Sequence, residues 1–453
     1  MSEQDRPFDV RRAGVLLHVT SLPGAGDLGD EAYRFVDFLA AAGCSVWQVL
    51  PLVPTHDDDG SPYNAPSAMA GNPDLLSKDR RETADDGAVT AWCAQQSAWL
   101  EPYVEYTALR ELHRTPWHTW EPALRDRDPQ AVAAALSPLS ERVQELKVEQ
   151  WDFAQQWGRL REYAASKGVL LFGDLPIFVS LDSADVWAHR ELFELDEAGR
   201  PVTVTGCPPD YFAEDGQRWN NPHYDWAAMA ADGFAWWRRR IARQRELFDL
   251  VRIDHFRGFE AAWHVPVESP TARDGRWVTA PGEQVLAALV ETAGPGTLVA
   301  EDLGVITPEV DALRHRFGLP GMKVLQFAFD GKRDNPYLPA HHDELSVVYT
   351  GTHDNDTTAG WWASVDERTR AQVKSHLVDP DEPMPGALVR LAMESTARLA
   401  VVPAQDLLAL GSDSRMNTPG TDEGNWTWQA PVGAFDDELA SRLRAVVERA
   451  GRA

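Results

Sequence analysis

Asp254, Glu301 and Asp354 are three carboxylates that each follow an apolar run, with arginine and histidine side chains close by in sequence. In Leu250-Val251-Arg252-Ile253-Asp254-His255-Phe256-Arg257-Gly258 the chain turns from apolar to ionic within a few residues. The run Thr297–Asp302 (TLVAED) ends in Glu301 and Asp302, and Val347–Thr352 (VVYTGT) leads into His353, Asp354, Asn355 and Asp356. A fourth run, Val169–Asp174 (VLLFGD), ends in Asp174. One such stretch also describes a surface ion pair closing a strand, since ion pairs are often purely structural. Four with the same grammar describe a cleft onto which carboxylates converge.

Carboxylates grouped with Arg and His, without metal-ligand spacing, suit chemistry at a glycosidic carbon. One carboxylate attacks the anomeric centre while a second, protonated group donates to the leaving oxygen. Arg252 lies two residues before Asp254 and so shares its side of a strand. A cation there favours the ionised carboxyl. Glu301 follows Leu298, Val299 and Ala300, an apolar setting that raises a carboxyl pKa and suits a general acid. His353 and Asp354 could bind sugar hydroxyls near the reacting centre.

Such residues need a scaffold of separate buried strands whose C-terminal ends share one face. A parallel barrel supplies that. Successive carboxylates are further apart than the roughly 30 residues one βα unit needs, so each interval holds a unit and an insertion. Gly14–Thr20 reads as the first strand, Asp30–Ala42 as an amphipathic helix with Gly43 after its end, and Ser45–Leu52 as the second strand. A long loop follows, carrying Tyr63 and Asn72, with Asp57, Asp58 and Asp59 as a solvated tip. Residues 78–167 read as a helical insertion between the second and third strands, their aromatic stripes as core. Residues 181–246 read as an inserted loop and helical segment between the third and fourth strands. Within it Ser180–Arg190 is a helix signalled by Ser180 and Asp182, and Thr205–Pro222 a loop stiffened by Pro208 and Pro209. Three aromatic residues in that loop, Tyr211, Phe212 and Trp219, mark an exposed apolar patch with a use. Thr307–Phe317 is helical, Met322–Phe329 the sixth strand, Met393–Leu399 a helix, Leu399–Val402 the eighth strand and Asp436–Arg452 the last helix. With no repeat or flexible linker, residues 1–453 read as one elaborated catalytic domain.

The net charge of -27 argues against binding a phosphate backbone. No secretory h-region opens the chain and no apolar run is long enough to span a membrane. Cys44, Cys93 and Cys207 are few, odd in number and dispersed, which fits a reducing cytosol. A cytoplasmic enzyme, monomer or homodimer, with no cofactor and no metal is expected. Eighteen Trp are either core filling or, in part, faces on which sugars stack.

Further motifs carry a family resemblance: Trp47-Gln48-Val49-Leu50-Pro51-Leu52, Ser61-Pro62-Tyr63, Gly71-Asn72-Pro73, Gly173-Asp174-Leu175-Pro176, Pro208-Pro209-Asp210-Tyr211-Phe212, Gly216-Gln217-Arg218-Trp219 and Met416-Asn417-Thr418-Pro419-Gly420-Thr421. With the three carboxylate motifs these make the chain resemble the amylomaltases, the 4-α-glucanotransferases of glycoside hydrolase family 77, over nearly its whole length. The resemblance implies a (β/α)8 TIM barrel with largely helical insertions and no C-terminal β domain. It implies Asp254 as nucleophile, Glu301 as acid/base and Asp354 as transition-state stabiliser in a retaining double displacement, with maltooligosaccharides and α-1,4-glucans as donor and acceptor. Arg252, His353, Asp174 and Tyr63 would support the donor sugar, and Tyr211, Phe212, Gln217 and Trp219 the acceptor; Asn72, Asn417 and Gly420 are further substrate-binding positions on matching motifs. The chain departs from the family pattern at Val19, Asn64, Asn220 and the acidic 56–59 loop.

Two other readings stay open on sequence alone. An α-1,4-glucan hydrolase would use the same three carboxylates and differ in releasing reducing ends. A glucan-binding barrel without chemistry would need none of the three.

Overall fold

The computed structural model describes residues 6–56, 60–81, 85–209, 214–421 and 423–453. Twelve strands occur among them: β1 Arg12–Leu16, β2 Val46–Gln48, β3 Leu170–Pro176, β4 Thr203–Cys207, β5 Gln217–Pro222, β6 Leu250–Asp254, β7 Ala261–Pro266, β8 Arg276–Thr279, β9 Leu298–Ala300, β10 Gly321–Val324, β11 Ser346–Tyr349 and β12 Leu399–Pro403. Eight form one parallel sheet in the order β10-β11-β12-β1-β2-β3-β6-β9. The gap between its two edges is bridged where the Ala300 N–H donates to Pro320 O at 2.8 Å, next to the start of β10. The sheet is therefore a (β/α)8 barrel.

Strand periodicity explains why the sequence shows continuous apolar runs here rather than alternation. Successive side chains point to opposite faces, and both faces are buried. Leu250, Phe172, Val299, Val347, Tyr349, Leu399 and Val401 fill the barrel interior. Their neighbours Val251, Ile253, Leu171, Val348 and Ala400 join the larger core under the helices. The interior parity that buries Leu250 carries Arg252 and Asp254 to the top of the barrel.

Several strands are shorter than their apolar runs. The second run extends to Leu52, yet only Val46–Gln48 pairs as strand. The sixth pairs over Gly321–Val324 and then tightens into a 3-10 turn at Leu325–Phe327. The helix expected at Met393–Leu399 lies instead at Gly386–Glu394, where Ala387, Leu388, Leu391 and Ala392 give the buried stripe. Between β2 and β3 the described elements are helical, the longest being Asp86–His113 and Ser140–Ser166. The helix before β4 is capped by Ser183 and spans only Ala184–Ala188. Asp182 does not cap it, because its carboxylate is held by the Tyr106 hydroxyl (2.8 Å), Arg110 Nε (2.8 Å) and the Trp117 N–H (3.1 Å).

The largest departure from the sequence reading is a second, antiparallel sheet in the order β5-β4-β7-β8. Thr205–Pro222, read as loop, contributes to two of its strands. Nothing in TVTGC or QRWNNP alternates cleanly, so a period of two was not visible. Two hairpins, β4–β5 and β7–β8, are joined by β4 pairing with β7 across the barrel strand β6, a non-local contact.

At the other end of the barrel Arg452 is buried and donates to five carbonyls: Met393 (2.6 Å), Ser395 (2.8 Å), Ala397 (2.8 Å), Arg12 (3.0 Å) and Arg398 (3.1 Å). One planar guanidinium thus ties the final helix to the starts of β1 and β12. Replacing it leaves several buried acceptors unpaired, each costing about 1–3 kcal/mol in part offset by relaxation. Arg452→Ala is expected to lower the urea unfolding free energy by about 3 kcal/mol while kcat stays unchanged. An unaltered unfolding midpoint would show that the contact is incidental.

Candidate active site

The site starts from register. β3 and β6 pair in parallel with Asp174 opposite Arg252 and Pro176 opposite Asp254, so Asp174 and Arg252 stand side by side on the interior face. The Arg252 guanidinium forks between two carboxylates, Nη1 to Asp174 Oδ2 at 2.5 Å and Nη2 to Asp254 Oδ1 at 2.9 Å. Both Arg252 and Asp174 are buried, whereas the Asp254 carboxylate is partly open. The Tyr63 hydroxyl donates to the same Asp174 oxygen at 2.7 Å. Hence the long loop after β2 is fastened to the floor of the cleft through Asp174.

Glu301 follows β9 and faces Asp254 from the next strand. Its carboxylate accepts the His255 N–H (2.7 Å) and the Leu303 N–H (2.8 Å), one on each oxygen. Its neighbour Asp302 is engaged elsewhere, accepting the Met322 N–H at 2.6 Å and pairing with Arg314 at 3.1 Å, which pins β10. Of the two acids ending that run, only Glu301 serves the cleft.

Asp354 lies beyond β11. Asn417 Nδ2 donates to its Oδ1 at 2.6 Å, and Arg415 holds its backbone carbonyl at 2.6 Å. His353 Nε2 sits 3.4 Å from the same carboxylate. The His353 ring lies parallel to that of Tyr63, 5.3 Å away, and Trp426 leans on both at 5.7 and 6.1 Å. The other polar residues of this run turn aside: Asn355 caps Thr352, and Asp356 binds Ser412.

Burial pushes the Asp254 carboxyl up to about 8, and the neighbouring Asp174, Glu301 and Asp354 charges add to this while Arg252 opposes it. Burial also raises Glu301, against Arg252 and the two N–H donors. Arg252 lowers the Asp254 carboxyl, as expected of a nearby cation, but desolvation outweighs a cation whose charge is divided between two carboxylates. Interacting carboxyls of this kind titrate as a pair, so the cluster holds a proton into the neutral range. Burial lowers His353 despite Asp354, and lowers His18 to about 3, so both imidazoles are neutral beside the cleft.

The structure brings Asp174, Arg252, Asp254, Glu301, His353, Asp354, Tyr63 and Asn417 together. Trp219 and Gln217 lie on β5, the Trp219 indole N–H donating to Gln217 Oε1 at 3.2 Å and its ring edge-on to His255. Tyr211 and Phe212, like the 57–59 tip, lie outside the described residues. Asn72 is buried, and its side-chain oxygen accepts the Asp74 N–H at 2.9 Å as the cap of a short 3-10 turn. Gly420 is exposed, at φ +81°, in the turn after Asn417. Asn220 takes φ +64°, a conformation Asn tolerates without large strain. Sequence reasoning missed Trp426 and His18. A Trp in the polar stretch Gly424-Asn425-Trp426 was the available signal for the first, and the motif His18-Val19-Thr20 at the end of the first strand for the second.

The chain matches the family described as 4-alpha-glucanotransferase over residues 17–88 and 76–433. It is similar to a 4-alpha-glucanotransferase of Thermus thermophilus, 46% identical over 98% of this chain and 99% of the relative. A chloroplastic/amyloplastic 4-alpha-glucanotransferase of Solanum tuberosum is 41% identical over 98% and 87% respectively. Among solved structures it resembles the amylomaltase from Streptococcus agalactiae in complex with acarbose, with a TM-score of 0.93 at 33% identity, covering 98% of this chain and 100% of that one.

Proposed function

The chain belongs to the 4-alpha-glucanotransferase family, glycoside hydrolase family 77, and from that premise we propose how its site transfers α-1,4-glucan segments. The enzyme acts on α-glucans, and maltooligosaccharides serve as donor and acceptor. One observation carries the mechanism: Asp254, Glu301 and Asp354 converge from three strand ends, and the Arg252 fork reaches Asp254 but leaves Glu301 to backbone N–H groups. The cluster holds a proton into the neutral range, and in the reactive form we assign that proton to Glu301, with the Arg252 fork favouring the negative charge on Asp254.

In the first half-reaction the Asp254 carboxylate attacks the anomeric carbon. The glycosidic C–O bond breaks, and Glu301 gives its proton to the departing oxygen. This leaves a glycosyl ester on Asp254, with the configuration inverted once. Asp354 faces the ring from the far side, anchored by Asn417, and stabilises the positive charge that develops at the anomeric centre. Asp174, Tyr63 and His353 hold the donor ring; Asn72 and Gly420 act through the loops that carry them. In the second half-reaction Glu301, now ionised, takes the proton of an acceptor hydroxyl, which attacks the ester and restores the original configuration. Trp219 provides an apolar face for the acceptor and Gln217 a polar contact beside it; Tyr211 and Phe212 are assigned to the acceptor from their sequence motif alone. Residues 78–167 and 181–246 act as insertions of one catalytic unit of residues 1–453. We place the protein in the cytoplasm, as monomer or homodimer, in keeping with few, dispersed cysteines that form no disulfide among the described residues.

The test is incubation with maltotriose. Transfer predicts glucose and a ladder of longer maltooligosaccharides at nearly constant total reducing ends. A rise in reducing ends that keeps step with maltotriose loss identifies a hydrolase.

A further inference from the structure

His255 directly follows Asp254 and takes a left-handed backbone conformation, φ +50° and ψ +48°. Few residues other than Gly do so readily, His and Asn among them. Coming straight off β6, this turn sends the two ends of one residue in different directions. The backbone N–H meets Glu301 Oε2 at 2.7 Å. The ring lies edge-on to Trp219, centroids 4.8 Å apart at 86°, with Phe178 at 6.3 Å. Trp219 lies in β5, and β5 belongs to the antiparallel sheet rather than to the barrel. Through these two contacts His255 links that indole to the Glu301 carboxylate.

The ring contact is packing, not charge. Burial, together with Arg257 and Arg252, holds the imidazole down to about 3, so it is neutral across the working range. Among the described residues its buried Nε2 has no hydrogen-bond partner, which costs free energy.

We propose that His255 is a positioning residue that couples occupancy of the acceptor side to the orientation of Glu301. A sugar ring seated against Trp219 braces the indole on the His255 ring. The left-handed turn then passes that restraint to the N–H that fixes the Glu301 carboxylate while it takes the acceptor's proton. A lone water leaves Trp219 unbraced and gains no such help. The inference rests on the transfer mechanism above and adds the residue that favours a sugar over water.

The substitutions separate ring from backbone. His255→Gly keeps the turn and the N–H and removes the ring. His255→Asn tolerates the turn and also lacks the ring contact, so it answers the same question if the glycine variant unfolds. His255→Ala disfavours the turn itself. With maltotriose as donor and glucose as acceptor, His255→Gly and His255→Asn are expected to raise the acceptor KM and the hydrolytic share about tenfold. Their first half-reaction, read with an α-maltosyl fluoride donor, falls less than the second. His255→Ala additionally lowers both half-reactions and shifts the pH profile, because the donor to Glu301 moves. Paired with Trp219→Ala, the ring-deleting change is expected to be non-additive on the transfer share. Thermal unfolding of each variant verifies the fold. Wild-type acceptor KM and transfer share in both ring-deleted variants would overturn the proposal, as would additive effects with Trp219→Ala. Failure of the transfer mechanism is seen separately, in the unmodified protein, as reducing ends that climb with substrate loss.

Discussion

Asp254→Asn and Glu301→Gln are each expected to fold normally and to lose at least about a thousandfold in maltotriose turnover, the scale seen when a nucleophile or its proton-transfer partner is deleted. Both side chains sit at the C-terminal ends of barrel strands, where residues serve chemistry more than stability. Each amide is close to isosteric with the acid it replaces, so packing is preserved. The two losses have different causes, and a donor with a good leaving group separates them. An α-maltosyl fluoride needs no proton on departure. Glu301→Gln should therefore still be glycosylated by it, and stall when no base remains for the acceptor. Asp254→Asn should not be glycosylated at all, since an amide oxygen is too weak a nucleophile. Mass spectrometry of the trapped glycosyl ester reads this directly. Equal behaviour of the two variants toward the fluoride would overturn the assignment of roles. First products of the unmodified enzyme carrying β-anomers, by NMR time course, would overturn the double displacement itself.

Removing Arg252 is expected to have the other large effect, on both stability and the pH profile. Arg252 bonds Asp174 and Asp254 at once, in a site where all three are wholly or largely buried. Breaking a buried pair by deleting one partner typically costs about 3 kcal/mol or more, because the charge left behind is neither solvated nor paired. The sign with pH follows from Asp254. Its folded pKa is raised to about 8 by burial even with Arg252 present. A raised carboxyl contributes stability that is fully present below its unfolded pKa and is lost as pH rises through the folded value. Taking Arg252 away removes the influence that opposes this rise, so the stability deficit of Arg252→Gln should grow from acid to alkaline pH. Because Asp254 must be ionised to attack, the acid limb of the rate profile should move to higher pH. Arg252→Lys keeps the charge but not the fork, since an ammonium cannot bridge two carboxylates with the same planar geometry; an intermediate result is expected. Urea melts at pH 6.5 and 9 and a kcat/KM profile measure both. A deficit that shrinks with pH, or an acid limb displaced downward, would contradict this account.

The sequence by itself determined the eight barrel strands and their order, because strands buried on both faces must read as unbroken apolar runs. It also determined which carboxylates sit at the ends of those runs, and with them Asp174, Asp254, Glu301 and Asp354. Local chemistry of that kind, a run and its terminus, is legible wherever the neighbours that matter are neighbours in the chain. The tertiary structure alone decided the rest. The apolar run alone does not separate Glu301 from Asp302, which the family resemblance did; the structure supplies the reason, since one faces the cleft and the other pins β10, their parity after β9 being different. Whether Asp254 is ionised depended on how much water the cluster loses and on Asp174 sharing Arg252, and neither is a property of spacing. The antiparallel sheet was hidden because β4 and β5 are short, polar and interrupted, and their hairpin is joined through β4 to β7 beyond a barrel strand. Trp426 reached the site by the same kind of long-range closure, and so did the contact of His255 with Trp219. Each of these depends on which surfaces meet when the barrel closes, and no periodicity in the chain records that.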